Sequence, residues 1–547
     1  MIKKRKRKSA NYFLSLLLFY SVLITLFVLT KLGLAQSAQE KPTYVESLFQ
    51  FFRRGKVIEL PDFPKTEIFK QFLLEEAKHK GIEVEELKSR MKQKGITSYL
   101  LELLRQRHIS PVEFANLMDL SWIQAFQMAY SSGALTLSEE SLQILRGQIT
   151  PTIQKLRQDK EIIVKEIAYR SSVDNLYPLY AEVAYNPKGK NMPVIVYQHG
   201  DYPGTRLGTV PAIYELAKKG LFGLSVSKRG RDGSAGKGDG FGKEIYDIYD
   251  AVEYVKNNYA PYIDSENINI TGGSGGGMDT FAAIVHFPDY FRVAAPFVAP
   301  PDLDHWFREP EPTIKILEQM AKSLGGQYAG SWSLFSQIIE GIGGLPSQVP
   351  DKYLARNWVL GAINNPYTLI HVFWDAEDGA APSITIRSQA YLEETKKFGF
   401  TNIHLHFSQR GDKLRFLHWG VADNFFVWHH FLPVIMSRSH PAPILAEAGR
   451  MVVLGFVKTK KFLIWLGEGD DAVARVDYSL SSHGATFNFR RLSSDPNKRG
   501  KLIYENPDAT PFQVLINDRS VIEKTTAKKI EVSSFGLDDR VLLRKLN

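Results

Sequence analysis

The stretch NITGGSGGGMDTFAA, Asn269 to Ala283, constrains the fold more than any other part of the chain. An apolar run, NINIT, leads into it, and the patterned run GMDTFAAIVHF leaves it. A serine among glycines belongs either to a flexible linker or to a very tight turn. A linker has no reason to be pinned between a buried strand and a helix. Gly272-Gly273-Ser274-Gly275-Gly276 therefore predicts a strand–turn–helix of the G-x-S-x-G type. In such a turn the serine takes a strained backbone angle to project its hydroxyl. Side chains two residues to either side would collide as strand and helix fold past each other, which explains Gly272 and Gly276.

The flanking sequence fits that turn into a larger pattern. PVIVYQHG, LFGLSVSKRG, NINITGG, RVAAPFVAP, PYTLIHVFWD and TNIHLHFSQ are apolar runs of strand length. AIYELAKKG, EIYDIYDAVEYVKNNY and GMDTFAAIVHF lie between some of them with helical periodicity. Alternation of this kind predicts an α/β fold, a mostly parallel sheet with helices on both faces. EIIVKEIAYRSS and YPLYAEVAYNP precede it as a pair of strands.

At 547 residues the chain exceeds one ordinary domain. Residues 39–157 read as a helical N-terminal region. TEIFKQFLLEEAKHKG and EVEELKSRMKQKG end at glycine, and SPVE, Ser110 to Glu113, has capping-box spacing before FANLM. Residues 158–438 form the α/β domain. Its insertion 302–365, rich in Trp, Phe and Gly, reads as a lid. Residues 439–547 read as a small β-rich domain, a sandwich by its short strands and turn residues.

Residues 1–38 have a different character. KKRKRK, Lys3 to Lys8, precedes the apolar run Tyr12 to Thr30 and then the small residues of GLAQSA. That order is the layout of a secretory signal peptide, and the run is nearly long enough for a signal anchor instead. Either reading puts the bulk of the chain outside the cytoplasm, periplasmic, extracellular or membrane-anchored. The net charge of +9 owes much to this segment. Residues 1–40 hold seven Lys/Arg against one Glu, so they account for six charges and leave +3. No nucleic-acid partner is implied. The absence of cysteine removes disulfides, thiolate metal sites and a cysteine nucleophile.

A serine hydroxyl needs a base, and the base needs an orienting carboxylate. On a turn of this type the acid and then the base follow the serine in the chain. TLIHVFWDAEDGAAP offers Asp375, Glu377 and Asp378, and Asp378, deepest in the turn, is the expected acid. Asp375 and Glu377 read as solvated turn carboxylates. His418, in the loop GDKLRFLHWG between the last strand and the last helix, is the expected base. His404 and His406 share one face of a strand with no third ligand evident, and His429 and His430 read as packing residues in a helix. The oxyanion hole is expected from the amides of Gly275 and Asp201, with the Tyr202 hydroxyl as a second candidate. The Asp201 carboxylate should then point away or pair with a cation such as Arg206. Trp306, Phe307, Trp332 and Phe335 could line an acyl or aromatic pocket or simply pack the lid. The chemistry requires no cofactor and no metal.

Taken together, Gly-Gly-Ser274-Gly-Gly, His199-Gly200, Arg229-Gly230, the helix YDIYDAVEYVKNN, Asp378 with Pro382, and His418 resemble the catalytic domain of the prolyl oligopeptidase and dienelactone hydrolase branch of α/β-hydrolases. The resemblance covers roughly residues 160–435 and implies a Ser274–His418–Asp378 triad acting through an acyl-enzyme. Peptidases of that branch carry an N-terminal β-propeller, and about a hundred helical residues cannot form one. The expectation is a serine hydrolase of carboxylic esters. Its rivals are a peptidase of the same fold and an inactive binding or scaffold module. The partners expected are a small ester or short peptide, with a polymer or protein contact through the C-terminal β domain.

Overall fold

The computed structural model describes residues 57–106, 108–109, 111–118, 122–134, 149–200, 204–308, 338–376, 382–409, 411–412, 414–416, 427–438 and 441–546. The expected signal segment, residues 1–38, lies outside them. No helix among the described residues is long and apolar enough to cross a membrane.

Among the described residues five helices come first: α1 (Glu67–Lys80), α2 (Val84–Lys94), α3 (Ile96–Arg105), α4 (Pro111–Met118) and α5 (Trp122–Ser131). Local chemistry sets their ends. The Thr66 hydroxyl accepts from the Phe69 amide at the start of α1, and Gly81 closes it in the left-handed conformation, φ 64°. Phe69, Leu73, Leu87, Leu100, Phe114 and Met128 interlock as a core of their own.

After α6 (Pro151–Arg157) the sheet begins. Its strands are β1 (Ile163–Tyr169), β2 (Leu179–Tyr185), β3 (Met192–Gln198), β4 (Phe222–Val226), β5 (Ile263–Gly273), β6 (Val293–Phe297), β7 (Leu369–Asp375) and β8 (Ile403–Ser408). They lie side by side in the order β1-β2-β4-β3-β5-β6-β7-β8. The β1–β2 and β2–β4 pairs are antiparallel, and every later pair is parallel. β3, β4 and β6 are mostly apolar and buried because both faces are covered. On one face lie α8 (Glu244–Asn258), α9 (Gly275–His286) and Tyr391 of α12 (Pro382–Lys397). On the other lie α7 (Arg206–Lys218) and α13 (Leu432–Ser437). The described parts of the insertion between β6 and β7 include two short helices, α10 (Leu303–Arg308) and α11 (Pro350–Leu354), and a 3-10 turn, Leu360–Asn364.

The remaining strands, β9 (Ala448–Leu454), β10 (Phe456–Lys458), β11 (Phe462–Leu466), β12 (Val473–Ser481), β13 (Gly484–Arg491), β14 (Arg499–Glu505), β15 (Phe512–Ile516), β16 (Arg519–Thr525), β17 (Lys529–Gly536) and β18 (Arg540–Lys545), are wholly antiparallel. They do not form two separate sheets, as the sandwich reading expects. They are hydrogen-bonded as one ten-stranded sheet, β16-β15-β18-β13-β12-β9-β10-β11-β14-β17. That sheet coils until distant strands meet: Phe489 of β13 lies 4.5 Å from Phe535 of β17, and Phe462 of β11 lies 5.0 Å from Phe487 of β13, centroid to centroid. The layers of a sandwich arise from twist.

The coiled sheet is joined to the α/β domain. Val452, Leu454, Phe456 and Val473 belong to the same apolar cluster as α8 and α9. Asn364 brackets Val452, donating to its carbonyl at 2.7 Å and accepting from its amide at 2.9 Å. His286 places Nδ1 2.7 Å from the Phe456 carbonyl while its ring stacks on Phe456 at 4.1 Å.

Candidate active site

β5 ends at Gly273 and α9 starts at Gly275, so Ser274 alone makes the turn. Its φ of 57° and ψ of −122° are unusual for a residue with a side chain. The Ser274 amide donates to the Phe297 carbonyl at 2.9 Å, and its carbonyl accepts from Gly277 and Met278 at 2.9 and 3.0 Å. Ser274 is half-buried, whereas Thr271, Gly272 and all of α9 are buried. The glycines are there for room. A Cβ on Gly272 would stand 2.4 Å from the Gly276 carbonyl oxygen, and one on Gly276 would stand 2.2 Å from that of Gln198. The Gly275 N–H is among the first-turn amides that an α-helix leaves without an intrahelical acceptor.

β3 delivers His199 and Gly200 beside this turn. A Cβ on Gly200 would lie 3.5 Å from the Gly273 oxygen and 3.8 Å from the Ser274 Cβ. His199 is buried, with Nδ1 2.8 Å from the Gly200 carbonyl oxygen. Burial, and then the Lys228 charge, hold its pKa down to about 4, so the ring is neutral at ordinary pH. Lys228 itself pairs with Asp279 of α9 at 3.0 Å, both buried, and stands 4.4 Å from the Phe241 ring centroid. The Arg206 guanidinium is engaged by Glu166, by the Asp232 carbonyl and, at 3.5 Å, by Glu182. Asp201 and Tyr202 lie outside the described residues.

β7 and β8 run parallel to β5, so their carboxyl ends open at the same edge of the sheet as Ser274. Residues 377–381, with Asp378, and 417–426, with His418, follow those ends and lie outside the described residues. What the structure does describe there corrects one expectation. Asp375 is not a solvated turn carboxylate: it is 1% exposed. Arg415 grips it with both arms, Nη2 to Oδ1 at 2.6 Å and Nε to Oδ2 at 2.5 Å. The Ser408 hydroxyl adds a bond at 2.6 Å. This pair escaped sequence reasoning because its members are 40 positions apart and an acidic residue in a turn ordinarily meets water.

The histidines of β8 belong to an aromatic stack. His406 lies 4.3 Å from the Phe373 ring and has Nε2 2.8 Å from Nδ1 of His371, a residue the sequence did not single out. Burial, followed by neighbouring His404, lowers the His406 pKa to about 4. His430, expected to pack, is exposed, in a π-helical turn Val427–Phe431. Phe307 is fully buried against Tyr353 at 5.6 Å, which makes it core, and Trp306 is half-buried beside it at 5.1 Å. Trp332 and Phe335 lie outside the described residues. No group of three His, Asp or Glu among the described residues is placed to hold a metal ion.

The sequence profile of the prolyl oligopeptidase family matches residues 221–325. No curated protein matches the chain. Among solved structures, a Pyrococcus furiosus esterase is 17% identical over 53% of this chain and 91% of its own, with a TM-score of 0.38. A Pyrococcus horikoshii acylaminoacyl peptidase is 16% identical over 53% of this chain and 44% of its own, TM-score 0.39. An acetyl xylan esterase from Paenibacillus sp. R4 is 16% identical over 51% and 85%, TM-score 0.36. Likeness at that level decides nothing about substrate. The strand order and the turn at Ser274 are those of an α/β-hydrolase fold, and within it residues 221–325 match the prolyl oligopeptidase family. That match supports a serine hydrolase, esterase or peptidase.

Proposed function

We propose that the protein is an exported or membrane-anchored serine esterase with Ser274 as nucleophile, His418 as base and Asp378 as the acid that orients His418. The single observation that carries this reading is the backbone of Ser274, φ 57° and ψ −122°, held between an apolar strand and helix. Such strain persists where the surroundings over-determine it, and it aims the Oγ outward from the turn. Ser274 Oγ attacks the acyl carbonyl as His418 takes its proton. The tetrahedral oxyanion forms at the Gly275 amide and a second amide after Gly200. His418 returns the proton to the departing alkoxide, leaving an acyl-enzyme. Water, deprotonated by His418, then releases the acid and restores Ser274. The basic and apolar layout of residues 1–38 supports export or anchoring.

Ester substrates are favoured because the described residues before β1 are helical and offer no propeller to sieve peptides. The family match favours the second reading, a peptidase. The test is turnover of a chromogenic short-chain ester and a dipeptidyl anilide by the full chain, with Ser274→Ala alongside. Ester turnover that vanishes in Ser274→Ala, with the anilide untouched, is the expected result. Near-normal activity in Ser274→Ala would overturn the assignment, and Ser274-dependent anilide cleavage would make the enzyme a peptidase.

A further inference from the structure

We propose that the buried Asp375–Arg415 pair is a positioning clamp that sets the acid loop against the base loop, and that the N-terminal helical region holds it through Asn116. The proposal rests on the Ser274–His418–Asp378 reading and deepens it. Asp375 is the last residue of β7, three positions before Asp378, and Arg415 is three positions before His418. The two loops that must bring a carboxylate to an imidazole are thus cross-braced immediately upstream of both groups. The brace is rigid by construction. A guanidinium held by two parallel bonds to one carboxylate has a fixed orientation in the plane they share. Both partners are about 1% exposed.

Two further contacts fix the brace to the scaffold. Ser408, at the end of β8, gives its hydroxyl to Asp375 Oδ2 and accepts from the Phe416 amide at 2.8 Å, so strand, acid loop and base loop share one hydroxyl. Asn116 of α4 reaches in with Oδ1 3.3 Å from Arg415 Nη1 and is itself buried. A second touch from the same region occurs at Gly411, where a Cβ would meet the Ile68 side chain of α1 at 3.4 Å. Asn116 and Arg415 are 299 positions apart, so this is tertiary docking of the helical region on the loop that leads to His418. An ion pair placed only for stability gains little from burial, since desolvation offsets much of the attraction. Its location between the two loops gives it a reason to be ionic, because bidentate geometry specifies an angle that apolar packing would not.

The full chain serves for the test, with ester turnover, its pH profile and thermal unfolding measured together. Arg415→Lys keeps the charge against Asp375 and loses the two-pronged geometry. It should fold, lower kcat by about tenfold to a hundredfold, as misplacement of catalytic groups by about 1 Å does, and leave KM within about twofold. The acid limb of its kcat/KM profile should move to lower pH, because an imidazole less firmly bonded to its carboxylate holds its proton less tightly. The double variant Asp375→Leu with Arg415→Met replaces both charges by apolar groups, which restores stability in other buried pairs. Here it should recover the melting temperature while kcat stays low. Wild-type kcat in a folded Arg415→Lys, or recovery of kcat together with stability in the double variant, overturns the clamp. Ser274→Ala and His418→Ala separate the two ideas. If they are inactive while the Arg415 variants are normal, the clamp alone falls; if they retain turnover, the triad falls and the clamp with it.

Discussion

Replacing Gly276 by alanine probes the turn more sharply than replacing the serine, because it changes geometry and leaves every functional group in place. The added Cβ would stand 2.2 Å from the Gln198 oxygen, 2.8 Å from the Gln198 carbonyl carbon and 2.8 Å from the His199 oxygen. All three are backbone atoms at the end of β3, in the middle of the sheet, so no side chain can swing aside. An ordinary contact needs roughly 1 Å more, and helix and strand must part by that amount. Overpacking costs about 1–3 kcal/mol, and three backbone clashes put this case near about 3 kcal/mol. For a unit of roughly 400 residues that melts as one, with an unfolding entropy of about 2.1 cal/mol/K per residue, that is a fall in melting temperature of about 3–4 °C. The same displacement carries Ser274 away from the oxyanion donors, and activity should fall by about a hundredfold. Gly200→Ala is the control: its Cβ would meet the Gly273 oxygen at 3.5 Å and the Ser274 Cβ at 3.8 Å, ordinary contacts, so stability should change by less than about 1 kcal/mol. Thermal unfolding and the rate of labelling by a fluorophosphonate probe read both effects. A Gly276→Ala protein that melts within about 2 °C of wild type and labels at the wild-type rate would refute the steric argument.

The remaining predictions concern charge. His199 and His286 are buried with pKa values lowered to about 4, against 6.5 when exposed. The unfolded chain therefore binds more protons between those values, and the stability these two contribute is present above about pH 6.5 and lost as pH falls toward 4. Each should lose about 2 kcal/mol by pH 5. Urea midpoints at pH 7.5 and 5 should diverge less in His286→Leu than in wild type, and equal divergence would remove His286 from the account. Arg356 donates to the carbonyls of Gly240, Lys352 and Asp239 and reaches Asp470 of the C-terminal sheet at 3.2 Å. Arg356→Met leaves those carbonyls without a donor and Asp470 with Lys352 alone, 3.6 Å away, and should cost about 3 kcal/mol, read as a shifted denaturant midpoint; a loss under about 1 kcal/mol would show the ion pair to be dispensable.

Much of the site's scaffold was legible because it obeys local rules. The turn at Ser274 is written in five consecutive residues whose steric need is local, and the parallel strands announce themselves as apolar runs between helices. The coiled sheet was half legible: its strands showed, but whether ten strands form one sheet or two depends on pairings across the whole segment. Asp375 was misjudged for the same reason. Nothing within ten residues of it explains burial, and its partner Arg415 sits in a loop that reads as solvent-facing. His371 was overlooked because a histidine inside an apolar run carries no signal until the neighbouring strand brings His406 against it.

The bond between Asn364 and Val452, with His286 set on Phe456, has a consequence for how the molecule comes apart. The hydrolase core is finished off by strands that follow it in the chain. A chain ended after α13 would present the apolar surface around Phe287 and Tyr246 to water, since Phe456 covers both. The two regions should melt as one transition, and limited proteolysis should not release a stable catalytic fragment. The C-terminal sheet is thus less an accessory to the enzyme than the closing wall of its core, and it cannot be exchanged or shed without unmaking the site at the other end of the sheet.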